Sequence, residues 1–126
     1  IVNGASGSSL FGDGRSGDNF NNIITATFTT AEGGDYLIVA NCMVGGVFNT
    51  LTKLESRIIT GTTVIADYES PTGGSAIQPI ILGGKITLSA NTSYTIALQG
   101  QVIQDNTTPD IAGFSTRISA LKLNKQ

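Results

Sequence analysis

Gly33-Gly34-Asp35-Tyr36-Leu37-Ile38-Val39-Ala40-Asn41-Cys42-Met43-Val44-Gly45-Gly46 is the stretch whose reading decides the fold. Tyr36 to Val44 is apolar at every position but Asn41, and a glycine pair bounds it on each side. A short continuous apolar run between turn signals reads as a buried strand, so a central strand covered on both faces is predicted, stopped by Gly45-Gly46.

Working outward, the same grammar repeats. Ile23–Thr29 precedes the turn Glu32-Gly33-Gly34-Asp35. Leu51–Ile59 alternates Leu54, Ser56 and Ile58 against Lys53, Glu55 and Arg57, and Thr60-Gly61-Thr62 turns it into Thr63–Glu69. Ser70-Pro71-Thr72-Gly73-Gly74 is a break. Ile77–Leu82 and Ile86–Leu88 flank Gly83-Gly84, and Ser93–Val102 points Tyr94, Ile96 and Leu98 inward against Thr95, Ala97 and Gln99. Ser115–Leu123 closes the chain. Period-two runs with turn residues at such intervals mark an all-β sandwich, and no stretch keeps a helical period for three turns. The expected architecture is a two-sheet antiparallel sandwich, jelly-roll in preference to immunoglobulin-like, because Trp and a cysteine pair are both missing.

Residues 1–19 are mainly Gly, Ser, Asn and Asp, which is linker composition, so residues 20–126 are taken as one folded head. The first residue is Ile1 and not Met, and a preceding segment is expected. Charged residues are 13% of the chain, about half the usual fraction, with Thr, Ser, Asn, Gln and 16 Gly in their place. Seven scattered basic residues and a net charge of −2 argue against nucleic acid as a partner. No apolar run approaches the ~20 residues of a membrane span, so no membrane insertion is expected.

The chain has no histidine, which removes a Ser-His-Asp triad, a Cys-His nucleophile and imidazole metal ligands. Cys42 is the single cysteine; it excludes an intrachain disulfide and, in its apolar run, reads as a small buried hydrophobe. Asp67 with Glu69, or Asp105 with Asp110, are the carboxylate pairs that glycoside hydrolysis would need. Carboxylates at i and i+2 of a strand read better as a solvated face, so no enzyme and no catalytic residue is predicted. Gly12-Asp13-Gly14-Arg15-Ser16-Gly17 matches G-x-G-x-x-G but lacks the flanking strand and helix that a dinucleotide site requires. Asp13, Asp18 and the 105–110 loop have no calcium-loop spacing, and neither metal nor cofactor is expected. Asn91-Thr92-Ser93 and Asn106-Thr107-Thr108 match the glycosylation acceptor pattern.

The order of elements resembles a known family. Gly34-Asp35-Tyr36-Leu37-Ile38-Val39 is similar to the G-x-Y-x-[IVF] strand of tumour-necrosis-factor-like and complement globular-head domains. Gly83-Gly84-Lys85-Ile86-Thr87-Leu88 followed by Ser93-Tyr94-Thr95-Ile96-Ala97-Leu98 resembles their G-G-x-x-x-L … V-x-L pair. Phe114-Ser115-Thr116-Arg117-Ile118 resembles their closing F-S-x-x-[LI] strand. The chain departs from the pattern at Ala90-Asn91-Thr92, where the family often has Gly, and carries fewer aromatics than most vertebrate members.

The resemblance implies a homotrimer, with Tyr94, Ile96, Leu98, Phe114 and Ile118 as interface candidates. A glycine-rich leader before such a head resembles the layout of bacteriophage spikes and fibres and of exosporium filaments, and Leu10-Phe11-Gly12-Asp13-Gly14 resembles a leader of phage fibres. The expected role is host attachment at the virion surface, in an extracellular setting. The partners would be a host-cell receptor (protein or glycan) and other virion proteins reached through residues preceding Ile1. Gln104, Asp105, Asn106, Thr107, Thr108 and Asp110 are the receptor-binding candidates, because a long polar loop on a rigid sandwich suits recognition. The alternative is a structural trimerisation head, exosporium- or complement-head-like, with no receptor of its own.

Overall fold

The computed structural model describes residues 12–13, 20–47, 53–69, 77–103 and 110–123. In chain order the strands are β1 (Gly12–Asp13), β2 (Asn21–Thr29), β3 (Gly34–Val47), β4 (Lys53–Thr60), β5 (Thr63–Glu69), β6 (Ile77–Leu88), β7 (Ser93–Ile103) and β8 (Asp110–Lys122). Among the described residues there is no helix.

Two sheets form. In the larger, β7 pairs with β4, which pairs with the edge strand β5, while β2 and the short β1 lie along the other side of β7. In the smaller, β3 sits between β6 and β8. All pairings are antiparallel except β1 with β7. From β2 onward, every connection except the β4–β5 hairpin passes from one sheet to the other, which is jelly-roll wrapping. The fold is therefore an all-β, two-sheet sandwich, as the alternating runs indicated.

Period-two patterning builds the core. Ile24, Ala26, Leu54, Ile58, Ile96 and Leu98 face inward from the larger sheet, against Ile38, Ala40, Cys42, Ile80, Leu82, Ile118 and Ala120 from the smaller. Each strand contributes every second residue, so both inner faces are largely aliphatic, and each buried Leu or Ile side chain adds about 1.5–3 kcal/mol. Cys42 is 3% exposed, and burial pushes its thiol up to about 12, so it is a packing group and not a nucleophile. Phe28 closes one end of the core between Tyr36 and Tyr94, with ring centroids 6.2 and 6.4 Å away.

Several boundaries differ from the sequence reading. The glycine pairs are not stops: β3 runs through Gly45-Gly46 and β6 runs unbroken through Gly83-Gly84. Neighbouring strands supply the ladder bonds there, Gly45 opposite Ala112 and Ile77, Gly84 opposite Ile38. The last strand starts at Asp110, five positions earlier than expected, because it follows β3 to Val47. Gly12-Asp13, inside the stretch taken as linker, pairs with Gln101 and Val102 of β7. Finally, β3 is central but covered on one face only: Tyr36, Ile38, Ala40 and Cys42 are buried, whereas Leu37, Val39 and Met43 are half-buried.

Candidate functional site

The outer face of the larger sheet carries the polar positions that alternate with the core. Glu55 and Arg57 alternate with buried Leu54, Ser56 and Ile58 on β4. Pairing register places Arg57 between Gln99 of β7 and Asp67 of β5, with Asn22 of β2 beyond Gln99. One row thus runs Asn22–Gln99–Arg57–Asp67 across four strands. The next row runs Gln101–Glu55–Glu69.

These rows are fixed by hydrogen bonds between side chains. Gln99 Nε2 donates to Asn22 Oδ1 at 2.8 Å, and Arg57 Nε donates to Gln99 Oε1 at 2.7 Å. Gln101 Nε2 donates to Glu55 Oε2 at 2.8 Å. Phe20, just before β2, lies beneath the guanidinium, with Arg57 Cζ 3.9 Å from the ring centroid. A planar cation on an aromatic face is held in orientation as well as attracted. Linked side chains on paired strands lose little freedom when a ligand arrives.

Beside these rows the surface opens into a cleft of about 550 Å³, lined by Phe20, Glu55, Ser56, Arg57, Val64, Asp67, Tyr68 and Glu69. Val64 and Tyr68 are each 46% exposed there, giving the polar cleft two apolar contacts. The hairpin that makes its outer wall depends on Gly61, whose φ of 57° the two-residue β4–β5 turn requires. Among the described residues, no group of three or more His, Cys, Asp or Glu is placed to hold a metal ion.

Of the receptor-binding candidates, Gln104, Asp105, Asn106, Thr107 and Thr108 lie outside the described residues. Asp110 begins β8, its backbone opposite Val47. The interface candidates need correction. Ile96, Leu98 and Ile118 are 1%, 0% and 1% exposed within a single chain, because their strand parity points them between the sheets. Tyr94 packs on Phe28 and its hydroxyl accepts the Ser89 amide at 2.9 Å. Ile96, Leu98 and Ile118 therefore belong to the core of one chain, and Tyr94 is half-buried at its edge. Phe114 holds a place in β8 opposite Met43. Of the carboxylates weighed for catalysis, Asp67 and Glu69 are both in the cleft, opposite Arg57 and Glu55. The sequence reading saw these two but missed Phe20, Glu55, Arg57, Gln99 and Gln101 as their company, since only strand pairing brings them together.

No protein-family model matches the chain, and no curated protein matches it. Among solved structures, it is similar to the C-terminal CBM6 of LamC, a marine laminarinase from Zobellia galactanivorans. The identity is 17%, the match covers 94% of this chain and 91% of that one, and the TM-score is 0.36, too low to carry an argument.

Proposed function

We propose that the chain is a non-catalytic recognition head that holds a cell-surface glycan in the β4–β5 cleft. The observation that carries this is the pair of polar rows, Asn22–Gln99–Arg57 and Gln101–Glu55 joined by side-chain hydrogen bonds and continued in register by Asp67 and Glu69, beside an open cleft with aromatic members. Sugar hydroxyls both donate and accept, and vicinal pairs of them match the two-atom spacing of carboxylate, amide and guanidinium groups. A cleft of about 550 Å³ is within the usual size of a small-ligand site. The engagement of Glu55 by Gln101, and the place of Asp67 and Glu69 at i and i+2 on one strand face, favour binding over hydrolysis.

The test is a glycan array, followed by titration of the best oligosaccharide against wild type, Asp67→Ala and Glu55→Ala. Binding is expected to weaken about tenfold or more in each variant, the loss of one charge-assisted hydrogen bond, with the thermal midpoint unchanged in Asp67→Ala and lowered in Glu55→Ala, which also takes the acceptor from buried Gln101. Unaltered binding in both variants removes the cleft from the case, and release of reducing sugar by wild type would replace binding with hydrolysis.

A second observation favours self-association. The outer face of the smaller sheet exposes Ile81 at 73% and Leu121 at 51%, with half-buried Leu37 and Val39 between them. A homotrimer packed through this sheet would cover those side chains and present three clefts, multiplying weak glycan affinity. It would also complete the covering of β3 that its apolar run called for. Placement of such a head on a viral spike or fibre rests on the family resemblance, the leader-like composition of residues 1–19 and the Leu10-Phe11-Gly12-Asp13-Gly14 match.

A further inference from the structure

Resting on the reading of the cleft as a glycan site, we infer that it sorts glycans by charge, admitting neutral and amino sugars and rejecting acidic ones. Its described lining contains three carboxylates, Glu55, Asp67 and Glu69, and one cation, Arg57. That cation is held in place, its Nε donating to Gln99 and its plane lying over Phe20, and it offsets only one of the three negative charges. Glu55 stands directly opposite Glu69 across the β4–β5 pair, a placement of like charges that disfavours itself unless a donor comes between them. Gln101 supplies one donor to Glu55.

Ionised carboxylates only accept, so this lining asks its ligand for donors, which hydroxyls and ammonium groups provide. A uronate, sialate or sulfate offers acceptors and negative charge instead. It would approach a lining in which three carboxylates outnumber one guanidinium, and such a repulsive element sets specificity as effectively as an attractive one. Tyr68 and Val64, both half-exposed, provide contact for the apolar C–H face of a neutral ring.

The experiment compares one oligosaccharide core in three forms, neutral, amino and sialylated or sulfated, by titration at low and high salt. The neutral and amino forms are expected to bind about tenfold or more tighter than the acidic form at low salt, with the gap narrowing as salt screens the cleft. Glu55→Gln/Asp67→Asn/Glu69→Gln should close the gap at low salt; Asp67→Asn alone, a single exposed change, should narrow it if the triple variant fails to fold. Acidic and neutral forms bound equally well would overturn the charge selection while leaving the cleft as a glycan site. Failure of all three forms to bind would overturn the cleft reading itself.

Discussion

Thr30 shows how much a single buried polar side chain can organise. It is 2% exposed, and its single O–H donates to Ser89 O at 2.5 Å, with Thr92 O at 3.2 Å as the weaker alternative acceptor, while its oxygen accepts from Thr92 N at 3.1 Å. Its backbone adds bonds to Thr92 O and from Asn91 N, so the end of β2 is tied to the whole β6–β7 turn. Thr30→Val keeps the shape and deletes three of these contacts. A loss of about 1–3 kcal/mol is expected, read as a lower denaturation midpoint, because the deleted bonds meet at a buried hydroxyl and tie the turn to the end of β2. An unchanged midpoint would mean that solvent replaces the hydroxyl. The same turn explains the Ala90-Asn91-Thr92 departure from the glycine of the resembled family. Asn91 takes a φ of 53°, a left-handed conformation that Asn tolerates better than other side-chain-bearing residues. Ser56, buried at 1% with its hydroxyl unpartnered, is the one buried side chain among the described residues left without a bond. Nothing in its position on the inner face of β4 explains it.

At the scale of elements, the glycine pair in β6 decides how closely the two sheets meet. A Cβ on Gly84 would stand 2.5 Å from Ile65 O and 3.0 Å from its Cγ2, so β5 can lie against β6 only because that side chain is missing. On Gly83, which faces outward, the nearest atoms would be 3.6 Å away, an ordinary contact. Gly84→Ala is expected to destabilise the protein by about 1–3 kcal/mol and Gly83→Ala to change it by less than about 1 kcal/mol, both measured by denaturant unfolding. Equal effects would mean that strand propensity, not the close approach, governs the pair. Because β5 forms one wall of the cleft, Gly84→Ala should also disturb glycan binding. Here the sequence reading failed for a physical reason. Glycine marks a chain turn and a close approach with the same letter, and only the neighbouring strand distinguishes them.

For the whole molecule, the question is what covers the outer face of the β6–β3–β8 sheet. A 73% exposed Ile81 on a three-stranded sheet is an expense in solubility that burial against a second copy removes. Light scattering coupled to size exclusion is expected to give a mass of about 39 kDa for a trimer of a 13.0 kDa chain. Ile81→Lys, outward-facing and remote from the core, should return it to about 13 kDa without loss of folding. A wild-type mass of 13 kDa would remove the trimer, and with it the threefold multiplication of affinity, but would leave each cleft intact.

What the sequence determined by itself was the class of fold and the inward set on most strands. Both follow from local alternation: Leu54, Ser56 and Ile58 on β4, and Ile96 and Leu98 on β7, are buried as their parity requires. Composition likewise determined what chemistry is missing, since a chain without histidine cannot borrow one from its fold. Tertiary structure alone decided the cleft. Asn22, Arg57, Asp67 and Gln99 are far apart in the chain and become one row only through the register of β2, β7, β4 and β5. It also decided that Ile118 belongs to the core of one chain and that Ile81 and Leu121 face outward, because a strand's parity states which residues share a face but not which face meets the other sheet.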